Sequence, residues 1–312
     1  MNLLDRMIDE LPFSKEELLE IIATASYRYK VFQIPKRQPG QWRTIAQPTP
    51  EVKLLQRWLV DNVLSQLPVH RAATAYREGV SIYAHAEKHV DKKYLLKMDF
   101  QDFFPSISAD AVQQHLLGVG KIKEKDATLI RALVTWRNKV SGKRCLSIGA
   151  PSSPILSNTM MYRFDTEISI IAKRYGAVYS RYADDMAFST NRKGVLTELS
   201  REVESLCGKL PYPRLTLNKQ KTVYTSRAYK RVLVGLVLTP DRKVSLGREK
   251  KRELRSKLYR LLKGAPGVDS ASLRGELAFA NSVEPEFISS LVRQFGTDAF
   301  LQLGLPFGSS KA

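Results

Sequence analysis

AVYSRYADDMAFST, residues 177–190, decides how the rest of the chain reads. Val, Tyr and Phe on either side of Tyr182-Ala183-Asp184-Asp185 favour extended backbone, and the Ala-Asp step suits a tight turn. The stretch therefore predicts a β-hairpin with both carboxylates at its tip. Adjacent carboxylates on a rigid turn repel and raise each other's pKa unless a divalent cation lies between them, and a hard ion such as Mg²⁺ is the natural occupant. Taken alone, Asp-Asp also reads as an ordinary polar turn in solvent. A third carboxylate on another strand separates the two readings. YLLKMDFQDFFPSI (94–107) supplies one, an apolar strand-like run ending in Asp99, where an unpaired buried charge is costly. Asp99, Asp184 and Asp185 would together hold two Mg²⁺ ions roughly 3.5 to 4 Å apart, activating an attacking hydroxyl and stabilising leaving pyrophosphate in an in-line phosphoryl transfer.

These segments resemble the reverse transcriptases and, within them, the bacterial retron reverse transcriptases. YADD is similar to the family's Y-x-D-D box, KMDFQDFFPSI to its first-aspartate box, and GAPSSPILSN (149–158) to the Gly-Pro box between them. Three boxes in the expected order are far more specific than any one. The resemblance covers most of 27–240. It implies an α+β right-hand polymerase, with fingers and palm over 1–240, the palm an antiparallel sheet plus helices, and a helical thumb over 241–312 that binds the template-primer duplex. It also implies RNA-directed DNA synthesis from deoxynucleoside triphosphates with two Mg²⁺ ions, on a cognate structured non-coding RNA serving as template and primer. Synthesis from a 2′-hydroxyl of that RNA would give a branched, RNA-linked single-stranded DNA, in anti-phage defence with an effector protein from the same locus. A group II intron-like or diversity-generating reverse transcriptase, and a noncatalytic RNA-binding scaffold, stay open as alternatives.

Further site residues follow from the resemblance. FQIPKRQPGQWRTIAQP (32–48) reads as a hairpin with Gly and Pro at its centre, and in the family such a finger hairpin carries a Lys and an Arg that clamp the incoming triphosphate, here Lys36 and Arg43. Phe104 matches the bulky residue that excludes a 2′-hydroxyl, while Phe103 reads equally as core. Gly149, Ala150 and Pro151 form a backbone platform for the nucleotide, with Ser152 or Ser153 capping the helix that follows. Many relatives have Pro-Gln before that Gly where this chain has Ser147-Ile148. Lys221, with Lys219 as the competing choice, falls where an ammonium approaches leaving pyrophosphate as general acid. Arg77 is a candidate for template or phosphate, and Ala86 and His89 match a short retron signature whose Asn is replaced by His85. The segment 229–246 predicts a hairpin turned at Pro240-Asp241 and resembles the primer grip, with Gly235 its matching residue. GREKKRELRSKLYRLLKG (247–264) predicts a cationic helix that grips duplex phosphates, Lys250, Lys251 and Arg255 among its contacts.

Fifty Lys and Arg against 31 Asp and Glu give a net charge of +19, which points to a polyanionic partner bound through its phosphates. With 43% hydrophobic residues over 312 positions, the chain has enough apolar material for a sizeable core in two or three lobes. The two cysteines, Cys145 and Cys207, show no pairing or metal spacing, which suits a reducing, cytoplasmic setting. No apolar run approaches the length of a membrane span, and the acidic residues in MNLLDRMIDELPF argue against a signal peptide. Ser14 to Glu17 form a capping box ahead of a helix whose face is expected to carry Leu18, Leu19, Ile22 and Ala25. Residues 50–66 predict a helix with Leu54, Leu55, Trp58, Leu59 and Val63 as its core stripe, and the tail 304–312 reads as frayed.

Overall fold

The computed structural model describes residues 2–36 and 40–305. The chain divides into two compact units, one of Met1–Val80 with Leu96–Val223, the other of Ser81–Leu95 with Tyr224–Ala312. These units do not coincide with the expected division at 240/241, because residues 81–95 and 224–240 belong to the same unit as the C-terminal helices.

In the first unit, β1 (Tyr29–Pro35) and β2 (Trp42–Pro48) form an antiparallel hairpin, with Pro35 opposite Trp42 and Tyr29 opposite Pro48. The expected Gly/Pro centre lies partly outside the described residues, at 37–39. Most of this hairpin is exposed, but its base is anchored where Ala46 joins Trp136, Cys145 and Tyr29 in one apolar cluster. The main sheet of this unit contains β3 (Tyr94–Asp99), β6 (Val178–Tyr182) and β7 (Asp185–Thr190), in the order β6-β7-β3; β4 (Trp136–Arg137) and β5 (Arg144–Cys145) make a separate ribbon, and β8 (Val223–Ser226) leads into the second unit. Five of the six β7 residues are buried, so both faces of that strand are covered and the run reads as almost continuously apolar. Tyr179 and Phe188, directly opposite in the β6–β7 register, stack with ring centroids 4.9 Å apart, one of the cross-strand pairs that fixes this hairpin.

The helices follow their caps more closely than their expected faces. Ser14 and Glu17 make the capping box in both directions, at 2.8 and 3.2 Å. The buried face behind it is Leu18, Ile21 and Ala25, while Leu19 is 44% exposed. In Pro50–Asn62, Val52 replaces Leu54 in the buried stripe, and Leu54 is 41% exposed. Both corrections rotate the apolar stripe by about one residue, within what a 3.6-residue period leaves open when apolar residues flank the stripe.

The second unit holds β9 (Arg231–Leu233), β10 (Leu236–Leu238) and β11 (Val244–Ser245) as an antiparallel meander in the order β11-β10-β9. The single hairpin expected over 229–246 is thus two. Val234 and Gly235 both have positive φ, 43° and 86°, and close a two-residue turn between Leu233 and Leu236. Such turns match the strand twist, and Gly235 is there for that backbone conformation. Helix Ile82–Val90 packs on this meander. The buried Arg231 guanidinium donates to the Val90, Lys92 and Thr239 carbonyls, satisfying backbone groups at the helix's C-terminal end. Helices Arg248–Leu262, Ser270–Val283 and Pro285–Phe295 make the expected small bundle around Leu254, Leu258, Leu277 and Leu291, and Thr297–Gln302 adds a short fourth. The frayed end expected at 304–312 lies outside the described residues from 306 onward. Among the described residues no helix is long and apolar enough to cross a membrane.

Candidate active site

The turn between β6 and β7 is two residues long: Tyr182 pairs with Asp185, leaving Ala183 and Asp184 at the bend. Ala183 has φ of 56°, a left-handed conformation that is strained for a residue with a Cβ. The end of β3 is held against this turn by the Phe100 N–H, which donates to the Asp184 carbonyl at 3.3 Å. On the other side, Gln101 N–H donates to Thr216 and Asn218 N–H donates to the Asp99 carbonyl, each at 2.8 Å. Asp99, 5% exposed, is therefore fixed between the carboxylate turn and the 216–221 segment. The Lys221 ammonium donates to both Asp99 oxygens, at 2.9 and 3.0 Å. Lys219 instead pairs with Glu204 at 2.7 Å, whereas Lys221 is the lysine that reaches Asp99.

Burial, then the charge of Asp99, raises the Asp184 pKa; burial, then Asp184 and Asp99, pushes Asp185 up to about 6. This is the signature of like charges crowded into a poorly solvated space. Among the described residues no three His, Cys, Asp or Glu side chains are gathered at metal-ligand spacing. Asp99 has both oxygens engaged by Lys221. The donor chemistry still fits a hard divalent cation, since the group offers carboxylate oxygens whose mutual repulsion such an ion would relieve.

Asp99, Asp184 and Lys221 open into a cleft of about 970 Å³, which Lys36, Arg43 and Phe104 also line. Arg43, opposite Ile34 in the hairpin register, is close enough for its charge to oppose the upward shift of Asp184. Lys36 follows β1 directly and its N–H donates to the Gln41 carbonyl at 2.8 Å. The two phenylalanines separate: Phe103 is core, 4% exposed and stacked on Phe100, whereas Phe104 faces the cleft. Gly149, Ala150 and Pro151 line a smaller cavity of about 280 Å³ together with Tyr76 and Phe104. The freedom of Gly149 is spent on a protein contact. At φ of 117°, a Cβ there would lie 3.2 Å from the Ala46 carbonyl oxygen, beside the bond that Ala46 N–H makes to Ile148. Sequence reasoning missed Tyr76, which lines both cavities and sits in no recognisable pattern; Ser147, noted in sequence only as a departure from Pro-Gln, lines both as well and carries a buried hydroxyl without a hydrogen-bond partner.

Other expected contacts have protein partners. Arg77 donates to the Ala73 carbonyl at 3.2 Å. Ala86 and His89 are fully buried, so their retron signature marks packing of helix Ile82–Val90 and not a nucleic-acid surface. Lys250 bonds Glu276 at 2.8 Å, and Lys251 pairs with Glu284 and lies over the Phe287 ring. Arg255 is exposed, and so are Arg248 and Arg252, which share its helical face at spacings of four and three. Those two arginines were present in the cationic run but not singled out.

The reverse transcriptase (RNA-dependent DNA polymerase) family model matches residues 34–254, a range that includes β2 of the hairpin, the three aspartates and the meander. The retron Ec83 reverse transcriptase of Escherichia coli is 39% identical over 272 residues, covering 86% of this chain and 87% of that one. The chain belongs to the retron reverse transcriptases. It is an RNA-directed DNA polymerase. The retron Ec86 reverse transcriptase of Escherichia coli is 31% identical over 306 residues, covering 95% of this enzyme and 91% of the relative. Among solved structures, telomerase from Candida albicans in complex with a fragment of telomeric RNA aligns at a TM-score of 0.51 and 13% identity, over 88% of this chain and 56% of that one. At that identity the likeness concerns the fold alone, and it agrees with the α+β palm and fingers expected from sequence. Reverse transcriptases as a family depend on divalent metals.

Proposed function

We propose that this reverse transcriptase copies a cognate structured non-coding RNA into branched, RNA-linked single-stranded DNA, at a site built on Asp99, Asp184 and Asp185, and that it serves in anti-phage defence with an effector protein. The observation that supports the site most is the meeting of β3's terminal Asp99 with the Asp184–Asp185 turn, in a cleft also lined by Lys36 and Arg43. Bound to the three carboxylates, two Mg²⁺ ions would lower the pKa of the attacking hydroxyl and neutralise charge on the leaving pyrophosphate. The chain's own residues do the rest. Arg43 presents a planar fork to phosphate oxygens and Lys36 adds a point charge, so the triphosphate is drawn in and oriented. Lys221, at the Asp99 end of the cleft, is placed to donate a proton to the departing pyrophosphate oxygen. Along the cationic helix, Arg248, Arg252 and Arg255 are the side chains offered to nucleic-acid phosphates, Lys250 and Lys251 being held by glutamates.

Phe104, which lines the cleft, would exclude a 2′-hydroxyl by clash with its ring, so selection for deoxynucleotides would be by exclusion. Phe104→Ala is expected to raise ribonucleotide incorporation relative to deoxynucleotide incorporation roughly tenfold or more, read as the ratio of kcat/KM values. An unchanged ratio would move sugar selection to another residue.

Isolation of the enzyme with the nucleic acid that accompanies it, when expressed with its flanking DNA, tests the substrate. The expected material is one RNA species joined through an internal 2′-oxygen to DNA complementary to part of that RNA. Heterogeneous host RNA with no attached DNA would overturn the branched-product reading and leave the polymerase assignment intact.

A further inference from the structure

One buried ion pair beneath the carboxylate turn takes no part in the chemistry above. Arg181 of β6 is 0% exposed, as is Asp165 of helix Tyr162–Arg174. The guanidinium meets that carboxylate side-on, Nε to Oδ1 at 2.9 Å and Nη2 to Oδ2 at 2.7 Å, the two-pronged geometry that fixes both groups. Tyr179 donates to the same carboxylate at 2.7 Å. The remaining nitrogen, Nη1, donates to two oxygens: the Asn158 side chain at 3.2 Å and the Ala183 carbonyl at 2.8 Å. Asn158 in turn donates to the Ala75 carbonyl at 2.8 Å, tying the last residue of GAPSSPILSN into the same cluster.

Replacing a buried pair of this kind with apolar side chains is often neutral or stabilising, so stability alone does not explain its presence. Its geometry offers another reason. Ala183 carries the positive φ of the turn, a strained conformation at a position where glycine would be unstrained. The Ala183 carbonyl is also the peptide oxygen directly before Asp184. A rigid donor on that oxygen fixes the peptide plane from which the first carboxylate of the turn projects. The donor is itself immobilised by Asp165 and Asn158, on two different helices.

We infer that Arg181 is a positioning residue for the polymerisation reaction: through its bond to the Ala183 carbonyl, oriented by Asp165 and Asn158, it holds the strained turn in the conformation that aims Asp184 and Asp185 into the site. This rests on the assignment of those aspartates as the metal-binding carboxylates. Arg181 touches no substrate, and its contribution lies in the alignment of residues that do.

Removing Arg181 alone would leave Asp165 as a buried unpaired charge, so the informative variant is the neutral set Arg181→Met, Asp165→Leu and Tyr179→Phe. It should keep the wild-type Tm within a few degrees while weakening Mn²⁺ binding, followed by electron paramagnetic resonance, and lowering kcat by about 10–100-fold each. The KM for deoxynucleotides should stay within about twofold, because Lys36 and Arg43 are untouched. A folded triple variant with wild-type Mn²⁺ affinity and kcat would overturn the inference. If that set does not fold, Arg181→Lys decides: it retains the charge for Asp165 but lacks the fork that reaches Ala183 at the same time. It is expected to fold and to show the same two losses, and wild-type behaviour would equally overturn the inference. Asp184→Asn titrated alongside separates the two layers. Mn²⁺ binding lost in Asp184→Asn but intact in the Arg181 variants removes the positioning role alone, whereas binding intact in Asp184→Asn removes the site assignment and the inference with it.

Discussion

Asp184→Asn should leave the enzyme folded and able to bind RNA while lowering single-turnover DNA synthesis by a factor on the order of a thousand or more. The substitution keeps the size of the side chain and the turn's backbone, including the Phe100 bond to the residue 184 carbonyl. It removes one of three charges that would hold the divalent ions, and those ions supply several kcal/mol of transition-state stabilisation, each 1.4 kcal/mol being about tenfold in rate. The metal-free variant should be at least as heat-stable as the wild type at pH 7, because Asp184 is a carboxylate whose charged form is disfavoured by burial and by Asp99. The combination of unchanged or raised Tm, unchanged RNA affinity and lost synthesis separates a site residue from a structural one. Full synthesis by Asp184→Asn would end the proposed mechanism, since Asp184 is the member of the Asp184–Asp185 pair that lines the cleft with Asp99.

The carboxylate hairpin was legible because its determinants are local. β-prone apolar runs on either side of a two-residue turn specify the strands, and a charge at the end of an apolar run marks Asp99 without reference to anything distant. Where the sequence misled, the deciding partner lay far along the chain. Lys250 and Lys251 read as phosphate contacts on a cationic helix, yet Glu276 and Glu284 take them in the folded unit. Gly149 read as room for a base pair, yet the close neighbour is the Ala46 carbonyl of the hairpin. Lys221 was favoured over Lys219 in sequence by position alone, and in the folded unit one pairs with Asp99 and the other with Glu204. Arg181 was invisible as a functional candidate for the same reason. A single arginine in a strand has no pattern, and its meaning depends on Asp165, Asn158 and Ala183 arriving around it. Residue types and spacing show which groups are able to carry chemistry; the tertiary fold decides which of them are already occupied.

Acidification from pH 7 to pH 5 should destabilise the metal-free enzyme by several kcal/mol, through histidines that are buried neutral. His115, with Nε2 3.0 Å from the Thr159 hydroxyl, is pushed down to about 4 by burial. His85 is also pushed down to about 4, by burial and then Lys88, and His89 lies well below the ordinary 6.5, through burial and then its neighbours His85 and Lys88. Between pH 6.5 and 4 the unfolded chain binds protons at these positions and the folded protein does not, so stability rises with pH across that window and is lost on acidification. At pH 5 His115 and His85 account for about 2 kcal/mol apiece, and His89 adds in the same direction. Asp185 acts in the opposite sense. Its folded pKa of about 6 lies above the unfolded value of 3.8, so the folded state gains a proton as pH falls and recovers about 1 kcal/mol by pH 5. Asp184, raised by burial and then Asp99, acts in the same sense as Asp185; the three histidines prevail, and a net loss of several kcal/mol is large against total stabilities of about 5–15 kcal/mol. Urea denaturation in the presence of a chelator at pH 7 and pH 5 measures the difference. His115→Gln, which retains a partner for Thr159, should be about 2 kcal/mol less sensitive to the same change. Equal sensitivity in that variant would mean that His115 is protonated in the folded enzyme, and a wild type with flat stability over this range would mean the same of all three.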